Sequence, residues 1–122
     1  MEVKDLMSNE AIMAINSPKS KVRGPYAVVY KNEKERWAIA AMLYDPNEND
    51  EWKPRLGIRW FWGNNGFPLT RGNAMWFMLP YELQKAVLDG LPLNFEFRTT
   101  LDRFLAGAVT GDELNECWRN SL

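Results

Sequence analysis

The sequence predicts an α+β domain: a mostly antiparallel sheet of four to five strands in meander order, with helices at the N- and C-terminal ends packed on it. Three observations lead there. Strand-like segments follow one another through the middle of the chain. The connections between them are too short for helical crossovers. Segments with apolar residues at helical spacing stand at both ends. With 122 residues, 46% of them hydrophobic and 25% charged, the chain reads as one domain, 1–122, long enough for a substantial core.

Val3, Met7, Ala11, Ile12 and Ile15 predict a first helix, ended by Ser17-Pro18. A polar connection with Lys19, Lys21 and Arg23 leads to Gly24-Pro25. Tyr26 to Lys31 is rich in β-formers, and Trp37 to Tyr44 is apolar throughout, so the polar run 32–36 joins two strands of a hairpin. An acidic loop, 45–51, precedes a third strand from Leu56 to Trp62. Residues 63–73 hold three Gly, three Asn and one Pro, the composition of a loop or irregular hairpin. Ala74 to Leu79 is the fourth strand.

Pro80 opens a helix to Asp89 with Leu83, Ala86 and Val87 facing inward and Gly90 as a left-handed cap. Alternating Leu93, Phe95 and Phe97 predict a fifth strand. Thr99 and Asp102 then read as a capping box for a helix bearing Leu101, Phe104, Leu105 and Ala108. Thr110 and Glu113 repeat the signal before a last helix bearing Leu114, Cys117 and Trp118.

Composition excludes much chemistry. Without histidine there is no Ser-His-Asp or Cys-His nucleophile and no imidazole metal ligand, and one cysteine builds neither a disulfide nor a structural zinc site. No phosphate-binding glycine motif occurs. Asp45, Asn47 and Asn49 match the first ligand positions of a calcium loop, but Asp50 and Leu56 stand where the motif needs glycine and glutamate. No metal and no cofactor are implied. Cys117, on an apolar stripe, reads as a structural thiol. Fifteen basic residues against sixteen acidic ones give no global field for nucleic acid or an anionic membrane. The first sixteen residues resemble neither a signal peptide nor a span, so a cytoplasmic location without membrane contact is the expectation.

The most informative pattern lies in the strands. Trp37, Ile39, Ala41 and Leu43 form one face of the second strand and Ala38, Ala40, Met42 and Tyr44 the other; both are apolar, which suits a central strand covered on both sides. Leu56, Ile58, Trp60 and Trp62 make an apolar face of the third. With the helices packed on one face, apolar sheet is left over, and such surface marks an interface. If the terminal helices divide between the two faces, they bury everything and no interface is implied.

The candidate binding residues are Arg55, Arg59, Trp60, Phe61, Trp62, Asn64, Asn65, Arg71 and Trp76. Arg55, Arg59 and Phe61 share a strand face, opened by Gly57. The following loop adds polar donors, and Trp60, Trp62 and Trp76 are expected to line a recess for an apolar or cationic small molecule. The leading functional expectation is a non-enzymatic binding or adaptor module that forms a homodimer or docks a protein partner through an apolar sheet face. The alternatives are nucleic-acid or small-ligand binding through the arginine–aromatic face, and an enzyme working with carboxylates alone. Small size, one domain, a tryptophan-dense run (Arg59-Trp60-Phe61-Trp62) and no catalytic signature resemble the orphan proteins of mobile DNA, a type that carries no functional residue across.

Overall fold

A computed structural model describes residues 5–63 and 65–122 of the chain. Its elements in order are α1 (Asn9–Met13), β1 (Val22–Asn32), β2 (Trp37–Tyr44), β3 (Lys53–Trp60), β4 (Leu69–Thr70), β5 (Asn73–Ala74), β6 (Phe77–Met78), α2 (Tyr81–Asp89), α3 (Phe95–Leu105) and α4 (Gly111–Asn120). Four strands make one antiparallel sheet in the order β1-β2-β3-β6, and β4 and β5 form a separate two-stranded hairpin. The α+β meander is therefore the fold.

The second strand behaves as its pattern dictates. Ala38, Ile39, Ala40, Ala41 and Met42 are all buried, because β2 is central and covered on both faces. The helices divide between those faces instead of packing on one. Lys31, Ala38 and Arg59 stand in register across three strands, and the Lys31 Nζ donates to the Met7 carbonyl at 2.8 Å. Trp76, which sits over Gly57, donates from Nε1 to the Ile15 carbonyl at 2.7 Å. The α1 segment thus lies on the Arg59 face. On the opposite face, the register partners Leu43 and Pro54 line a hollow with Phe104 of α3 and Tyr26, whose ring meets Phe104 edge-on at 6.0 Å. Asn115 of α4 donates to the Tyr26 carbonyl. Leu101, Phe104, Leu114 and Trp118 are buried, each contributing roughly 1.5–3 kcal/mol of hydrophobic stabilisation.

Several local expectations are corrected. The first helix is one short turn, capped by Ser8; its expected start at Val3 lies outside the described residues. The third strand starts at Lys53 and ends at Trp60. The fourth breaks into β5 and β6, with the buried Trp76 between them. No fifth strand forms at 93–97. Asn94 accepts from the Phe97 amide as an N-cap, so α3 starts at Phe95, and Thr99 and Asp102 lie inside it and not at its cap. Alternation over five residues could not distinguish a strand from this helix entry. Gly90 is right-handed, at φ −87°. The second capping box is present: Thr110 accepts from the Glu113 amide, and the Glu113 carboxylate receives the Thr110 amide.

The inner stripe of α2 is shifted by one residue from the expected set. Leu83 and Ala86 are exposed, whereas Gln84 and Leu88 are buried. Tertiary hydrogen bonding explains the shift. The two-residue β6 is too short to pair the whole of β3, so the Leu56 amide lacks a strand partner and donates instead to the Gln84 Oε1 at 2.9 Å. Gln84 thereby closes a sheet edge. At the far end of α2, the exposed Asp89 carboxylate accepts from Lys85 and Arg98, which hold it below the usual carboxylate range. No described helix is long and apolar enough to cross a membrane.

Gln84→Ala leaves the buried Leu56 N–H unpaired and is expected to cost about 1–3 kcal/mol in urea unfolding. Leu83→Ala, at an exposed position, is expected to change stability by no more than about 0.5 kcal/mol. If Leu83 costs more than Gln84, the inner face of α2 is wrong.

Candidate functional site

Arg59 organises the region. Its side chain is 1% exposed. The Nη1 group donates to the carbonyls of Pro68 at 3.2 Å and Met75 at 2.7 Å, and Nη2 donates to that of Asn65 at 2.8 Å. The guanidinium carbon lies 5.0 Å from the centre of the Phe61 ring. Three carbonyl dipoles and an aromatic face replace water around a buried charge, and burial lowers the Arg59 pKa from its ordinary value. The acceptors all come from the segment between β3 and β6, so Arg59 holds that irregular excursion against the sheet.

Gly66 makes this possible. It has φ +69°, and a Cβ there would run into the Trp60 carbonyl oxygen and approach the Arg59 Nη2 to 2.5 Å. With the turn seated, Trp60 and Phe67 pair antiparallel through two backbone hydrogen bonds, Trp60 N to Phe67 O at 2.8 Å and Phe67 N to Trp60 O at 3.0 Å. Beyond it, Thr70 and Asn73 close the β4–β5 hairpin over Arg71 and Gly72, both at positive φ.

Two separate places result, on opposite faces of the sheet. One is an aromatic ledge. The Trp60 ring lies 5.9 Å from that of Trp62 and 6.4 Å from that of Phe67, and Trp62 and Phe67 stack within 11° of parallel. Phe77 pairs with Ile58 in register along the same edge. Trp62, Phe67 and Phe77 are 52%, 49% and 55% exposed; the helices leave this end of the sheet uncovered. The other place is a cleft of about 250 Å³ between α1 and the Arg59 face, walled by Leu6, Ala11, Ala14, Ile15 and Phe61.

The candidate residues divide accordingly. Trp60 and Trp62 stand together on the ledge. Arg59 and Phe61 are buried on the other face, with the Asn65 carbonyl on the guanidinium. Trp76 is also on that buried face, against Gly57, and shares no recess with Trp60 and Trp62. Arg55 lies apart, its guanidinium 5.5 Å from the Tyr81 ring. Arg71 is exposed at the hairpin tip. Asn64 lies outside the described residues. Sequence reasoning missed Phe67 and Phe77 on the ledge and the cleft residues in and around α1; an isolated Phe inside a glycine- and asparagine-rich loop was the available signal for the first.

Elsewhere, the Asp45 carboxylate is taken up by its own loop, accepting from the amides of Asn49 and Asp50. Among the described residues no three Cys, Asp or Glu side chains gather to hold a metal ion. Cys117 is half-buried, its Sγ 3.3 Å from the Thr100 hydroxyl. No family model, curated protein or solved structure matches the chain.

Gly63 and Gly66 both sit at positive φ, but a Cβ at Gly63 meets open space. Gly63→Ala is expected to cost about 1 kcal/mol of backbone strain. Gly66→Ala is expected to cost about 3 kcal/mol or more, because it also disrupts the buried Arg59 contacts. Equal losses in thermal or urea unfolding would contradict the role given to Arg59.

Proposed function

We propose that the protein is a binding module that self-associates, ledge against ledge, through Trp60, Trp62, Phe67 and Phe77. The observation that carries this reading is the stacked, half-exposed pair Trp62 and Phe67 on an end of the sheet that no described helix covers. Large apolar side chains in a contiguous run are uncommon on a monomer surface and common at interfaces. Here they are also preorganised, since ring stacking and the Trp60–Phe67 backbone pair limit the entropy lost on docking.

A second copy suits the ledge for two reasons. A two-fold interface asks each surface to complement itself, and the near-parallel Trp62 and Phe67 rings offer apolar faces to the same rings of a second copy. The neighbouring β1–β2 turn carries Glu33, Lys34, Glu35 and Arg36, balanced in sign, on a chain of net charge −1, so two copies meet without strong repulsion. Nucleic acid is the poorer fit. Arg59 is enclosed and Arg55 sits beside Tyr81, so neither supplies the cationic groove that accompanies stacking platforms.

Sedimentation velocity over roughly 5–500 µM, a range that brackets weak dimers, is expected to show a shift from monomer to dimer. The Trp62→Ser/Phe67→Ser double variant is expected to stay monomeric with an unchanged circular dichroism spectrum. A wild-type monomer throughout, or a dimer that survives both substitutions, would overturn the reading.

A further inference from the structure

The cleft beneath α1 has a feature that packing alone does not account for. A guanidinium carries five N–H donors. Arg59 commits both Nη1 hydrogens and one Nη2 hydrogen to carbonyls, while its buried Nε has no acceptor among the described residues. No carboxylate of the described residues forms an ion pair with it. A buried cation with no carboxylate partner among the described residues thus lines the cleft, with its Nε–H unbonded. The Nε and Nη2 edge is the side of a guanidinium that receives a carboxylate bidentately.

We infer that this cleft is a binding site for a small monocarboxylate with a short hydrocarbon tail, its anionic head on Arg59 and its tail among Leu6, Ala11, Ala14, Ile15 and Phe61. Each part of that ligand answers a part of the site. The single negative charge matches a single buried guanidinium. The apolar body matches walls that offer alkyl and aromatic surface. At about 30 Å³ for each water-sized group, a cleft of about 250 Å³ admits roughly eight non-hydrogen atoms, the size of hexanoate. Inorganic phosphate fits poorly, because its second charge would be desolvated against apolar walls without a second cation. The small residues at positions 11 and 14 keep the space open: a longer side chain at either position would occupy the volume assigned to the tail.

The binding site does not rest on the proposed self-association. The cleft lies on the face of the sheet opposite Trp62 and Phe67, and loss of either property leaves the other to be measured.

The test is calorimetric titration of the full chain at neutral pH with hexanoate, hexanamide and inorganic phosphate. Hexanoate is expected to bind saturably and about tenfold or more tightly than hexanamide, the worth of a charge-assisted hydrogen bond, and phosphate is expected not to bind. Arg59 also supports the fold, so the diagnostic substitution is Ala11→Leu, which fills the cleft and leaves the guanidinium in place; it is expected to abolish hexanoate binding while thermal stability is kept. The inference is overturned if hexanoate does not saturate, if hexanamide binds as well, or if Ala11→Leu binds hexanoate unchanged.

Discussion

The enclosed guanidinium of Arg59, gripping the carbonyls of Asn65, Pro68 and Met75, is the contact on which both faces of the molecule depend. The segment between β3 and β6 has little regular structure of its own beyond a two-residue hairpin. Such a segment would ordinarily move over the surface. Here a charged fork at the end of β3 gathers it from three points. Because carbonyl oxygens are the acceptors, the lock depends on the path of the backbone rather than on side-chain identity at positions 65, 68 and 75, and of the segment's glycines at 63, 66 and 72 only Gly66 is placed where a Cβ collides. Phe67 is then delivered to one face of the sheet, while Asn65 and Gly66 close the cleft on the other. The ledge and the cleft are two consequences of one buried charge.

That organisation sets what was legible beforehand. The sheet was readable because its signal is periodic and local: β2 matches the all-apolar run from Trp37 to Tyr44, and both of its faces are covered, as an unbroken apolar strand requires. The α4 cap was readable because a side chain and an amide three residues apart define it. The failures share another cause. Gln84 turns inward because the Leu56 amide, 28 residues away, needs an acceptor, and no helical periodicity encodes that need. Phe95 and Phe97 imitate strand alternation, although an asparagine cap at Asn94 converts the same residues into the start of a helix. The β3–β6 excursion was recognised as irregular, but its path follows from long-range contacts that composition does not reveal.

The binding residues divide along the same line. Alternation placed Trp60 and Trp62 on one face of the third strand and Arg59 and Phe61 on the other, and the structure keeps that division. The spatial grouping was not recoverable. Trp76 looked like a companion of Trp60 by aromatic character, but it packs over Gly57 and binds the Ile15 carbonyl on the reverse side. Arg59 looked like a surface fork beside a loop, yet the loop folds over it. An arginine between aromatic residues and followed by a glycine-rich loop supports either reading; only the three-dimensional path of residues 65–68 distinguishes them.

A lock of this kind restricts rotation of the guanidinium itself, which makes it directly observable. Nitrogen-15 NMR of arginine side chains at neutral pH reports rotation about the Cζ–Nη bonds and the exchange of each N–H with water. Arg59 is expected to give separate, slowly exchanging Nη resonances, in contrast to the averaged signal of exposed Arg71. An Arg59 signal as averaged and as rapidly exchanging as that of Arg71 would contradict the buried three-carbonyl clasp, and with it the arrangement of both faces.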